Sequence, residues 1–278
     1  MSVFRLFPFR QKDVTSPSLG LGRNSLIGMA GSRGQDVAAT PNCLSLSFEP
    51  ETNESLHAVT NALRKMLDME GMTARASLVL SSHYCRYLSL PWSDALLDTA
   101  TGREYLRQAF VDVYGDSACD WEIAFPDMPY GQTVVACAVE RAVLDQVRDV
   151  AVVPGLTHVR PYFSAAYEAF RKEIDTANAV FAIIEDGLMT VGRICERSVV
   201  EVDVLSVGAA WPAILVAWLS RTALLEGETG QVFVLCPPAW RGSAPQGAGA
   251  DWRFLEWPES VREMVAANPA LALAACLP

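Results

Sequence analysis

AVFAIIEDGLMTVGRICERSVVEVDVLSVG, residues 179–208, holds three apolar runs rich in Val and Ile, separated by the polar stretches EDG and CERS. Runs of this kind between turn-forming residues predict three successive strands. A helix follows from Trp211, with Pro212 in a first turn that needs no N–H there, and it carries Ile214, Leu215, Trp218 and Leu219 at helical spacing. QVFVLCPP, residues 231–238, is one more strand. The order is three strands, a helix and a strand.

The same order occurs near the N-terminus. Strand-like runs lie near 18–23, 25–31 and 37–48. Asn53 then caps a helix bearing Leu56, Val59, Leu63, Met66 and Leu67, and Gly71 stops it. ARASLVLSSHYCRYLSLPW, residues 74–92, reads as strand, turn and strand. The two halves share element order rather than sequence, which predicts a duplicated, two-lobed α/β protein.

Between the halves, Thr101 and Glu104 form a capping-box pair ahead of a helix with Leu106, Ala109, Phe110 and Val113. TVVACAVE (133–140) is a buried strand, and RAVLDQVRDVA (141–151) is a helix with Val143, Val147 and Val150 on one side. GLTHVRPYFSAAYEAFRKEI (155–174) gives a short strand, with His158 capping its end, and then a helix. After a Gly/Pro/Ser-rich loop at 241–250, DWRFLEWPE (251–259) is an edge strand at most, and residues 260–278 close the chain as helix. Trp211 and Trp218, two turns apart on one helix, belong to the core, whereas Trp252 and Trp257 are candidates for an exposed contact.

Composition narrows the function. Half of the 278 residues are apolar, 19% are charged, and the net charge is −10. A nucleic-acid binder needs a basic face, so that class is set aside. No run approaches the roughly 18 apolar residues of a membrane span, so no transmembrane segment is expected. The start, MSVFRLFPFRQK, interleaves Phe4, Phe7 and Phe9 with Arg5, Arg10 and Lys12 but has no apolar stretch of a secretory signal. It is either a disordered arm or a segment that touches a membrane surface. Seven widely spaced cysteines predict free thiols in a reducing cytoplasm. His83-Tyr84-Cys85 has no second His/Cys pair to complete a metal site, and no oxyanion signal accompanies any cysteine.

FRLFPF (4–9), LVLSSHYCRYLSLPW (78–92), VVACAVERAVLDQVRDVAVVPGLTHVRPYFSAAYEAF (134–170) and NPALALAACLP (268–278), in that order, resemble the PilM and MshI proteins of type IV pilus and related fimbrial systems. More distantly, the chain resembles the cytoplasmic part of the secretion protein GspL. The resemblance implies an α/β fold, two-lobed and actin-like (ribonuclease H-like), with an extra small α+β subdomain in the first lobe. On this chain that gives a flexible arm at 1–17, a first lobe at 18–177 with the inserted subdomain at about 93–160, and a shortened second lobe at 178–278.

In that fold, nucleotide phosphates sit between two hairpins of Asp-x-Gly-x-x-Ser/Thr pattern. The first maps to Gly20, Gly22 and Ser25, with glycine standing where the Asp belongs. The second maps to Glu185, Gly187 and Thr190, with Asp186 beside Glu185. At EDG, plain turn chemistry is the competing explanation. The adenosine-side Gly-Gly turn is replaced by Cys236-Pro237-Pro238, where proline removes N–H groups. The resemblance therefore implies a non-enzymatic scaffold with no cofactor beyond a vestigial Mg-ATP site. It also implies a peripheral place at the inner membrane. The partners would be the N-terminal peptide of a PilN-like inner-membrane protein and other pilus assembly components. That peptide would lie in a first-lobe groove at Tyr84, Tyr87, Leu88, Leu90 and Trp92 and along the helix after Thr101. An active actin-fold ATPase or phosphotransferase is the rival expectation, and a stand-alone two-domain protein the third.

Overall fold

A computed structural model describes residues 18–29, 43–47, 76–126, 130–150, 156–226, 230–241 and 252–276. The N-terminal arm, the helix expected after Asn53 and the loop at 242–250 lie outside the described residues.

Two five-stranded sheets share one strand order. In the first, β1 (Ser18–Leu21), β2 (Ser25–Met29) and β3 (Cys43–Ser47) form an antiparallel meander. β4 (Ala76–Leu80) then pairs parallel with β1, and β8 (Leu156–Pro161) parallel with β4. In the second, β9 (Asn178–Glu185), β10 (Leu188–Cys195) and β11 (Ser198–Ser206) form the meander. β12 (Gln231–Leu235) and β13 (Trp252–Phe254) complete it in parallel. Numbered by position, both sheets run 3-2-1-4-5. A third sheet, in order β5-β7-β6, consists of β5 (Cys85–Leu90), β6 (Trp121–Ala124) and β7 (Val134–Glu140).

The strand pair expected within 74–92 is therefore divided. β4 stays in the first main sheet, whereas β5 crosses into the three-stranded one. That sheet begins at Cys85, ahead of the expected boundary near 93, and the chain is back in the main sheet by Leu156. The Ser81–Tyr84 corner turns the chain from one sheet to the other, a tertiary effect that local alternation does not encode.

Strand periodicity explains the packing. Successive side chains point to opposite faces, and β9 buries six in a row. Ala179, Phe181 and Ile183 join the large core that runs between the two main sheets, while Val180, Ala182 and Ile184 join a second cluster. That second cluster includes Trp211, Leu215, Trp218 and Leu219 of α4 (Trp211–Glu226). β12 divides likewise, with Phe233 and Leu235 on one face and Val232 and Val234 on the other. A strand covered on both faces reads as a continuous apolar run. Each fully buried Phe contributes about 2 kcal/mol.

The remaining helices are α1 (Thr99–Tyr114), α2 (Arg141–Val150), α3 (Tyr162–Ala169), α5 (Glu259–Ala267) and α6 (Leu271–Ala275). α1 starts before the expected Thr101–Glu104 box. Asp98 is its cap, accepting from the Thr101 N–H and hydroxyl, both at 2.8 Å, and Glu104 pairs with Arg107 instead. Leu106 and Phe110 of α1 pack with Trp121, Ala136 and Ala138 into a third cluster, on the three-stranded sheet. The closing helix breaks at Asn268-Pro269 into α5 and α6. His158 lies inside β8, opposite Ser77, rather than at a strand end. Trp257 is 3% exposed and edge-on to Phe170, so it is core and not a surface contact. Cys85, Cys119, Cys137, Cys195, Cys236 and Cys276 are free, and among the described residues no helix is long and apolar enough to cross a membrane.

Candidate functional site

The β1–β2 and β9–β10 turns face a shared cavity of about 330 Å³, together with the end of β4, the segment after β12 and the α5–α6 junction. Open parallel sheets place binding crevices at the C-terminal strand ends, and β4 and β12 both end here.

At the first turn, Gly22 N–H donates to Ser25 O at 2.8 Å. Gly20 lies two residues earlier, inside β1, and α6 packs directly over it. A Cβ built at position 20 would come within 2.7 Å of Leu273 Cβ and 2.9 Å of Ala274 N. Position 20 thus admits no side chain, let alone a carboxylate. The C-terminal helix fills the space that an acidic residue would require.

At the second turn, Asp186 and Gly187 form a two-residue loop between the paired Glu185 and Leu188, with Gly187 at φ +73. Glu185 lines the cavity and reaches across it to the first lobe. Its Oε2 accepts from Ser81 Oγ at 2.5 Å, and its Oε1 accepts from Ser82 N–H at 2.9 Å. Ser82 Oγ and Thr190 Oγ1 share a buried hydrogen bond of 2.6 Å. His83 Nε2 lies 2.8 Å from the Asp186 carbonyl; a carbonyl only accepts, so this nitrogen carries the proton. Asp186 is exposed and lines the rim of the cavity. Among the described residues no group of three or more His, Cys, Asp or Glu could hold a metal ion.

Beyond β12, Cys236 and Pro237 are buried, and Pro238–Trp240 forms a 3-10 turn. Burial pushes the Cys236 thiol up to about 11 against the opposing Arg241 guanidinium. Two adjacent prolines supply no N–H toward the cavity.

Two main sheets of one strand order, closing on a crevice between paired hairpins, define the architecture. The fold is actin-like. The chain matches the cytoplasmic domain of EpsL, an inner-membrane component of the type II secretion system of Vibrio cholerae. That match has a TM-score of 0.61 at 13% identity, over 92% of this chain and 94% of that one. A chain of the PilM–PilN type IV pilus biogenesis complex matches with a TM-score of 0.63 at 14% identity, over 95% and 99%. A Bacteroides thetaiotaomicron protein with an actin-like ATPase fold matches with a TM-score of 0.54 at 8% identity, over 95% and 99%. No protein-family model matches the sequence, and no curated protein matches it significantly. At these identities the likeness establishes the fold, and in it the resemblance to PilM and to a secretion-system domain is met.

Within the actin-like frame, Gly22, Ser25 and Glu185 line the crevice, while Gly20 and Thr190 are buried beneath it. The five residues expected in a partner groove do not share one surface. Tyr84 packs against the β1–β2 turn, where its hydroxyl donates to Gly22 O at 3.2 Å and burial pushes its phenol up to about 12. Tyr87 is 5% exposed, edge-on to Phe163, with its phenol raised well above the ordinary value by burial. It is a core residue and not a groove contact, because the inward face of β5 meets α3. Leu88 and Leu90, on the other face, pack half-buried under α1. Trp92 lies with its ring centroid 5.3 Å from that of Tyr130, the two rings tilted, and Tyr130 is 75% exposed. Sequence reasoning missed Ser81 and Ser82; the available signal was a pair of serines directly after an apolar parallel strand.

Proposed function

We propose that this chain is a non-enzymatic scaffold of a type IV pilus, fimbrial or type II secretion-like assembly machine, working in the cytoplasm at the inner membrane. The observation that carries the reading is the state of the two turns. Both Glu185 oxygens accept from first-lobe donors, and α6 occupies the space beside Gly20. A Mg-nucleotide needs a free carboxylate to manage the ion or its waters; position 20 has none, Glu185 is engaged by Ser81 and Ser82, and Asp186 sits exposed at the rim of the cavity. The residues present therefore do not fit Mg-ATP, and no chemical step is assigned to it. The matches to EpsL and to the PilM–PilN complex support the kind of machine.

Docking of an inner-membrane partner's extended N-terminal peptide falls to the first lobe. Apolar pockets and backbone hydrogen bonds hold such segments. The half-buried Leu88, Leu90 and Trp92, with the exposed Tyr130 beside Trp92, supply the apolar part. The test is co-purification with the inner-membrane protein encoded nearest to this chain. A complex is expected, and Trp92→Ala with Tyr130→Ala should weaken it at least tenfold while leaving the unfolding transition unchanged. Undiminished capture by that double variant would remove the groove assignment, and metabolic genes alone around the coding sequence would count against the machine. The cavity of about 330 Å³ favours a second reading, an ATPase or phosphotransferase of the same fold; nucleotide calorimetry separates the two.

A further inference from the structure

Four consecutive residues, Ser81 to Tyr84, each bond to one of the two crevice turns or to the strand behind it. Ser81 and Ser82 hold Glu185, Ser82 holds Thr190, and His83 holds the Asp186 carbonyl. Tyr84 reaches the other way, donating to Gly22 O of the β1–β2 turn. Ser81, Ser82 and Thr190 are buried, so the Ser82–Thr190 pair is made out of reach of water. A buried hydroxyl whose partner is removed keeps its desolvation penalty, so each bond lost from such a network costs more than the bond itself contributes.

The same segment runs straight into β5. Arg86 Nη1 donates to the His83 and Cys85 carbonyls at 3.1 and 3.0 Å, stiffening the junction. Further along β5, Ser89 Oγ accepts from Val202 N–H of β11 at 3.2 Å. The three-stranded sheet is thereby tied to the second lobe at both ends of one strand.

We infer that Ser81–Tyr84 is a clasp that holds both lobes and the small sheet in one closed arrangement without any ligand, so that the partner surface is permanently presented. The inference rests on the scaffold reading for its purpose, though its geometry stands independently. Closure that in a ligand-gated protein would follow binding is here supplied by the chain's own hydroxyls, imidazole and carboxylate. No free energy from a ligand is needed to select the closed state.

The experiment is amide hydrogen exchange on the full chain, with and without millimolar Mg-ATP. The wild type should show strong protection at 81–90 and 185–190, unchanged by nucleotide. Glu185→Ala should speed exchange in both segments at least tenfold while β1 and β12 stay protected. Should that variant fail to fold, Ser81→Ala, which removes the bond to Glu185 and the acceptor of the His83 N–H, should speed both segments about threefold. Asp186→Ala serves as the control, since only its carbonyl takes part, and it should leave both segments protected. Unchanged exchange in Glu185→Ala or Ser81→Ala, or nucleotide-dependent protection in the wild type, would overturn the clasp. Loss of partner capture with the exchange pattern intact would instead overturn the scaffold reading and uphold the clasp.

Discussion

The β1–β2 and β9–β10 hairpins hold equivalent places in sheets of identical strand order, yet opposite means fix them. The first is packed from below: Gly20 gives up its side chain so that Leu273 and Ala274 of α6 can lie against the strand. The second is held by polar contacts across the cleft, with Glu185 and Thr190 bonded to Ser81 and Ser82. One turn has a glycine in van der Waals contact with a helix, and the other has a carboxylate held by hydrogen bonds. Sheets of one strand order thus accommodate different chemistry at equivalent hairpins, because a hairpin needs only to be held. The means can be either packing or polar satisfaction.

Placing a carboxylate at position 20 is the harshest way to break this contrast. Gly20→Asp would drive a charged side chain into Leu273 and the α6 backbone. Overpacking and an unpaired buried charge together should remove about 3 kcal/mol or more of stability in denaturant titrations. A tolerated Asp would mean that α6 is not the reason for glycine. From the other side of the same contact, Leu273→Ala should cost about 2–4 kcal/mol through cavity formation and leave the β9–β10 turn protected from exchange. Glu185→Ala probes the polar hairpin. Leaving the Ser82 N–H and the Ser81 hydroxyl without their acceptor should cost about 1–3 kcal/mol, and β1 should remain ordered.

Smaller effects sharpen the picture at the edges. The β10–β11 turn sets two ordinary residues, Glu196 at φ +51 and Arg197 at φ +66, in the left-handed region. Replacing the pair by Asn-Gly should stabilise the chain by roughly 1 kcal/mol, read as a raised denaturation midpoint. The smallest effect is expected at Asp98, whose carboxylate the Thr101 N–H holds below its ordinary value of 3.8. Because the folded-state value is the lower one, its contribution is complete above that ordinary value and fades as pH falls through the folded value. Asp98→Asn should keep the cap and remove that acid-limb dependence from pH-resolved unfolding curves.

The sequence made the second sheet legible almost residue by residue, because AVFAIIE and QVFVL are apolar runs bounded by turn residues. Their burial on both faces is what such runs record. The strand–turn–strand at 74–92 was legible locally but not in its partners. Nothing in SLVLSSHYCRYLSL says that the chain leaves one sheet at Ser81 and enters another at Cys85. Gly20 was read as an absent Asp, whereas the reason for the glycine lies about 250 residues away in α6. Tyr87 and Trp257 have the composition of surface aromatics and the environment of core ones. Such assignments depend on which face a strand or loop turns inward, and a single sequence does not carry that.

The central claim is that the two turns form a closed scaffold rather than a nucleotide site. Calorimetric titration of the purified chain with Mg-ATP, beside Glu185→Ala, tests it most directly. The account predicts no binding heat at millimolar nucleotide for either protein. Saturable binding by the wild type, abolished in Glu185→Ala, would contradict it and make the carboxylate a ligand-binding group.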